Sequence, residues 1–158
     1  MAQMLELALD FLGDEHPFFI MGEGGAIDWA AHDNRTMSMV ENVIDFDNAV
    51  KVAYRFYLEH PDETLIVVTA DHETGGLTLG CGSSTINWEK MENQWIESGK
   101  KNVLDHKANA EFNKSCSIGW TTGSHTGGAV PVFSIGKGAE KFMGRIDNAD
   151  IKGKILGK

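Results

Sequence analysis

The stretch "TLIVVTADHETGG", Thr64 to Gly76, decides the fold class. Residues 64–70 form a near-continuous β-branched and apolar run, the pattern of a strand covered on both faces. That run gives way to Asp71 and His72, then to Glu73, Thr74, Gly75 and Gly76, where irregular backbone is expected. Upstream, "PFFIM" (17–21) is a second short apolar run, bounded by Pro17 and Gly22, and reads as another buried strand. Helical spacing dominates 28–59: Ala49, Val50, Ala53 and Phe56 recur at three and four, Asp47 would cap the start, and Pro61 stops it. Strand, helical crossover and strand make a parallel βαβ unit. The fold class expected is therefore α/β, with helices packed around three core strands.

The third of those strands is "AVPVFSIG" (129–136), and "AEKFMGRIDNADI" (139–151) reads as short closing helices. At the other end Met4, Leu5, Ala8, Phe11 and Leu12 recur at helical spacing ahead of Gly13, predicting an amphipathic opening helix. Residues 82–117 are polar, with two tryptophans and weak periodicity, and are expected to be an insertion lying on the domain rather than core.

Composition narrows the function. The chain of 158 residues carries a formal charge of −9, and its acidic residues run along the whole length. Such a surface does not suit nucleic acid, which needs clustered lysine and arginine, and it does suit cations. Arg35, Arg55 and Arg145 do not cluster into a clamp for phosphate. No run of about 18 apolar residues is present to span a membrane, and no secretory leader is visible. Cys81 and Cys116 lack the C-x-x-C spacing of thiolate sites; they read as two unpaired thiols ahead of a disulfide.

Functional groups in open α/β sheets gather at the carboxyl ends of strands. Glu23, Asp28 and His32 follow the run at 18–21, Asp71 and His72 end the run at 64–70, and His125 lies in "GSHTGG" shortly before 129–135. Each has a plain alternative: Asp28 could cap a helix, His32 could be a surface histidine, and Glu23 could be solvated. His16, His60 and His106 stand outside these clusters and read as surface residues. Together the three carboxylates and three imidazoles are donors that zinc accepts, with magnesium preferring the carboxylates. Such sets can hold paired metals for phosphoryl transfer, so a multi-metal hydrolytic site is the reading of the residues themselves.

Those residues, in that order, resemble the C-terminal portion of the alkaline phosphatase family. "EGGAID" followed by His32, "VVTADH", "HTGGAVPVFSIGKGAE" and "IDNADI" carry the resemblance, which covers nearly the whole chain outside 82–117, where family members vary. The resemblance implies a three-layer α/β/α fold with a mostly parallel sheet, here a partial domain. It implies a first zinc on Asp28, His32 and His125, a second zinc on Asp71 and His72, and a third metal, usually magnesium, on Glu23. It implies hydrolysis of phosphate monoesters through a phosphoserine, an extracytoplasmic or periplasmic location, and a homodimer as a frequent assembly. Trp29 departs from members with lysine or histidine there, which bears on the identity of the third metal; ordinary packing is the plain alternative.

The chain holds no Asp-Ser-Ala or similar nucleophile turn. The family's serine, bridging aspartate, threonine ligand and arginine are therefore expected in a missing N-terminal half, and this chain alone is expected to be inactive. Two other readings stay open: a related superfamily phosphodiesterase or mutase, and a non-catalytic metal-binding or interaction module.

Overall fold

The computed structural model describes residues 1–13, 16–80 and 84–157. Two compact units make up the chain: a first unit of Met1–Met21, Phe46–Asp71 and Ala129–Lys158, and a second of Gly22–Asp45 and His72–Gly128.

The first unit opens with α1 (Ala2–Leu12), the expected amphipathic helix. It ends at Gly13, whose φ of 64° lets its N–H turn back onto the Leu9 carbonyl. Helix α3 (Thr36–Glu59) contributes its later turns here, burying Ala49 and Val52. Asp47 is not a cap, because helix already runs unbroken from Thr36; its carboxylate instead pairs with Lys51 one turn on, at 2.7 Å. Strand β1 (Leu65–Val68) falls within the predicted run and pairs with β6 (Phe133–Gly136), from Leu65↔Gly136 to Val68↔Phe133. Gly136 has φ 97°, and a Cβ there would collide with the Thr64 carbonyl, so only glycine lets the strands close. Beyond β6 come two 3-10 turns, Ala139–Phe142 and Asn148–Asp150, and α6 (Ile151–Ile155), the short closing helices read from the sequence. The first of them buries Phe142.

Two expectations for this unit are corrected. Residues 17–21 form no strand: Phe18 packs against Phe56 with ring centroids 5.7 Å apart, while Phe19 and Met21 stay exposed. An apolar run shows that side chains seek cover, not that its backbone finds a ladder partner. The parallel βαβ unit accordingly does not form among the described residues, where all the strand pairs are antiparallel.

In the second unit, α2 (Gly25–His32) leads through a tight turn into the first turns of α3. Then follow β2 (Glu73–Thr74), β3 (Leu77–Leu79), α4 (Trp88–Glu97), α5 (His106–Ser115), β4 (Ile118–Trp120) and β5 (His125–Thr126). Asn87 caps α4 by accepting from Lys90 N at 3.0 Å, and Asp105 caps α5 by accepting from Ala108 N at 2.8 Å. The described part of the stretch 82–117, residues 84–117, is not a layer outside the core. Its Met91 and Cys116 join Ile118 as the buried apolar cluster of the unit, packed on Met37, Leu77, Ile86, Phe112 and Trp120. Cys81 lies outside the described residues, and with it any pairing to Cys116.

The polar composition of that stretch misleads because two of its asparagines, Asn109 and Asn113, are buried and bonded. Asn109 and Asn113 both donate to the Asn34 carbonyl at 2.9 Å, Thr36 Oγ1 donates to Asn113 Oδ1 at 3.0 Å, and the Trp120 indole donates to Thr36 Oγ1 at 3.0 Å. Buried polar groups satisfied in this way hold a fixed geometry, here that of the α2–α3 turn. On the outside, Lys100 Nζ lies 2.7 Å from Glu41, and this hydrogen bond holds the Glu41 carboxyl below its ordinary range. The Trp95 indole adds to the lowering. A lowered carboxylate stabilises the fold above its unfolded range, and the contribution is lost as pH falls through the folded value. Exposed as this pair is, the effect is small.

Met91 tests the reassignment of 82–117. Met91→Ala is expected to lower unfolding stability by about 2–5 kcal/mol in urea titration, the cost of a core cavity. A loss under about 0.5 kcal/mol, the range of a surface substitution, would return the segment to the periphery.

Candidate metal centre

Strands β2 and β5 form a ladder of two residue pairs, Glu73↔Thr126 and Thr74↔His125. Side chains alternate across a strand, so Thr74 and His125 share one face while Glu73 and Thr126 share the other. On the Glu73 face a carboxylate clamp closes the ladder. Gly76 N donates to both Glu73 oxygens at 3.0 and 3.2 Å, Thr126 Oγ1 donates to Glu73 Oε2, and Gly128 N donates to Thr126 Oγ1 at 3.2 Å. Charge-assisted bonds of this kind are about twice as strong as neutral ones. Gly75, with φ 89°, exchanges backbone bonds with Ser124, Thr121 and Thr122, and a Cβ on it would come 2.5 Å from the Trp120 ring.

On the other face the ladder meets α2. Asp28 and His32 are four residues apart on that helix and share a side of it. His32 Nε2 lies 3.4 Å from Asp28 Oδ2 and 3.2 Å from His125 Nε2, and His125 Nε2 lies 4.0 Å from Asp28 Oδ1. His72 stacks on His125, ring centroids 3.5 Å apart. Thr74 Oγ1 donates to Asp28 Oδ1 at 2.7 Å and is 3.1 Å from His72 Nδ1. Asp28, His72 and His125 each offer one ligand atom, and these atoms lie within 4.8 Å of one another.

The capping alternative for Asp28 does not hold, since the N-cap of α2 is Gly24. Asp28 lies within α2, and its carboxylate takes a side-chain hydroxyl rather than capping the helix. His32 Nδ1 is 2.8 Å from the Gly123 carbonyl, which only accepts, so Nδ1 carries the proton and neutral His32 turns a lone pair on Nε2 toward His125. Two imidazole nitrogens 3.2 Å apart beside a carboxylate are satisfied either by an N–H of His125 donating to His32 or by a cation held between them. The donor set, the fixed His32 tautomer and side chains one third to one half exposed fit a solvent-reachable divalent cation.

Not every expected residue joins this group. Glu23 stands ahead of α2 with its carboxylate folded over Gly25, and it is not among the grouped ligands. Asp71 belongs to the first unit, where its carbonyl accepts from Asn148 Nδ2 at 3.0 Å. Trp29 is 72 % exposed, so packing among the described residues does not account for it. Sequence reasoning missed Thr74, Glu73 and Thr126 as supports. Only their place beside His72 and His125 offered a signal, since none is a preferred metal donor except Glu73.

The family model described as "Alkaline phosphatase" matches residues 1–156. Alkaline phosphatase 4 of Bacillus subtilis is 36 % identical over 84 % of the chain, and alkaline phosphatase 3 of the same organism is 35 % identical over 90 %. Among solved structures, a mutant of the alkaline phosphatase of the Antarctic bacterium TAB5, with Mg bound in its M3 site, is similar over 99 % of the chain. Its TM-score is 0.74 at 34 % identity, a likeness that covers the α/β fold of both units. The chain spans 37 % and 40 % of the lengths of the two Bacillus relatives and 40 % of the TAB5 protein.

Zinc at about a hundred times its Kd is expected to stabilise the chain by about 2.7 kcal/mol, read as a raised melting temperature. His125→Ala should remove the increment without unfolding the protein, because His125 is half exposed. An equal zinc-induced rise in the variant would exclude this cluster.

Proposed function

The chain belongs to the alkaline phosphatase family, and from that premise we propose that it is the metal-holding portion of a phosphate monoester hydrolase. The observation that carries this is the convergence of Asp28, His72 and His125 in a chain bearing the family's motifs. In this reading Asp28, His32 and His125 hold a first zinc, Asp71 and His72 a second, and Glu23 a third metal, magnesium in type. The contact of His72 with His125 supports two adjoining ligand sets rather than distant ones. Magnesium in the M3 site of the TAB5 mutant supports the third.

When bound, paired zinc ions supply Lewis-acid polarisation of the phosphoryl oxygens and a nucleophile at neutral pH. The chain's own residues orient and neutralise. Asp28 offers negative charge to a cation, the Gly123 carbonyl holds His32 in its ligand tautomer, and the Glu73 clamp keeps His72 and His125 at a fixed spacing. The reaction proposed for the whole protein splits the phosphorus–oxygen bond of a monoester. A serine oxygen takes the phosphoryl group as the alcohol leaves, and water then releases phosphate. That serine is not read in this chain, which carries no Asp-Ser-Ala turn. We place it in an N-terminal half of the same protein, in an extracytoplasmic homodimer as in much of the family. No helix among the described residues is long and apolar enough to cross a membrane.

The chain alone is expected to show no turnover of p-nitrophenyl phosphate above background. The protein from the full reading frame should turn it over faster than bis-p-nitrophenyl phosphate, and should lose that activity on Asp28→Ala. Turnover by the isolated chain, or preference for the diester, would overturn the reading.

Trp29 lies beside Asp28 and is exposed, where it can act on the third site, and we propose that it shifts that site away from magnesium. In the full-length enzyme Trp29→His is expected to raise magnesium content and magnesium-dependent rate together. Unchanged metal content and rates would refute the assignment.

A further inference from the structure

We propose that Thr74 is a positioning residue that ties Asp28 to His72, fixing the orientation of the first and the tautomer of the second. The inference rests on the metal reading above, and concerns a residue that is itself no ligand in it.

The Thr74 hydroxyl has one proton. Asp28 Oδ1 sits 2.7 Å away, and an ionised carboxylate can only accept, so the proton points there. What the threonine oxygen then turns toward His72 Nδ1, at 3.1 Å, is a lone pair. Nδ1 must therefore be the protonated ring nitrogen, and neutral His72 keeps its lone pair on Nε2. One hydroxyl thus orients a carboxylate and selects a ligand nitrogen at once, the arrangement by which outer groups tune the residues that hold a metal.

Threonine suits the task for two further reasons. Its register opposite His125 puts the hydroxyl on the site face of the ladder, and its branched Cβ limits χ1, so the oxygen is held without cost from a flexible side chain. Asp28 Oδ1 is committed to Thr74, leaving Oδ2 as the oxygen nearer His32 Nε2, at 3.4 Å. Under the proposed assignment Asp28 and His72 belong to different zinc ions, so Thr74 links the two ligand sets through one oxygen.

The test uses the whole chain with Zn²⁺ alone, comparing wild type, Thr74→Val and Thr74→Ser. Ring ¹⁵N shifts of His72 in the metal-free protein should report the Nδ1–H tautomer in wild type and Thr74→Ser, and a tautomer mixture in Thr74→Val. Zinc affinity by chelator competition should fall about tenfold in Thr74→Val and stay within about twofold in Thr74→Ser. If Thr74→Val does not fold, Thr74→Ala, which also lacks the hydroxyl, is expected to show the same loss. Wild-type tautomer and affinity in the variant lacking the hydroxyl would overturn the role of Thr74 alone. Failure of wild type to bind zinc would instead overturn the metal reading, and this proposal with it.

Discussion

Two strands of two residues each cannot hold a site together by backbone pairing, since even a full isolated hairpin is marginal in water. The Glu73 carboxylate makes the difference. It gathers the Gly76 amide and the Thr126 hydroxyl on the face of the ladder turned away from the histidines. Because side chains alternate, a clamp on that face leaves the other free for chemistry, and His72, Thr74 and His125 take their places from it. Glu73 thus does for the ladder what a longer run of paired backbone would do, in a segment whose loops must stay short to keep His125 against His72.

Helix α2 answers the ladder from across the cluster, and a buried polar network sets its direction. The Asn34 carbonyl takes two asparagine side chains from α5, and Thr36 is bonded on both sides, by Asn113 and by Trp120. Such a network is costly if any member is lost, because each buried group left unpaired carries its full desolvation penalty. The same stretch that supplies these groups also supplies Met91 and Cys116 to the apolar core. Support of the centre and stability of the second unit are in this way one set of contacts.

Much of this was legible in the sequence where a pattern maps onto one structural outcome. The opening helix with its terminal glycine, the strand before Asp71, the strand at 133–136 and the closing helices follow from periodicity and punctuation. Legibility failed where one pattern has several outcomes. "PFFIM" is apolar enough for a buried strand, yet Phe18 satisfies itself against a ring of α3. Asp47 is a good cap by type, but a helix already begun from Thr36 has no orphan amides there to cap. Residues 82–117 looked superficial because composition counts an asparagine as polar wherever it lies, while burial depends on whether a partner waits for it, and the Asn34 carbonyl does.

The sequence by itself determined which side chains could grip a cation, and their order along the chain identified the family. Asp28 and His32 lie 3.4 Å apart as the spacing implies, because four residues on a helix is a local relation that needs no fold. What only the tertiary structure decided is how those side chains meet. The register of β2 against β5 stacks His72 on His125, the Gly123 carbonyl selects the free nitrogen of His32, and a threonine hydroxyl joins Asp28 to His72. Each of these joins groups far apart in the chain across less than 4 Å, and no periodicity encodes a distance of that kind. It arises only when the loops have closed and the clamp has set.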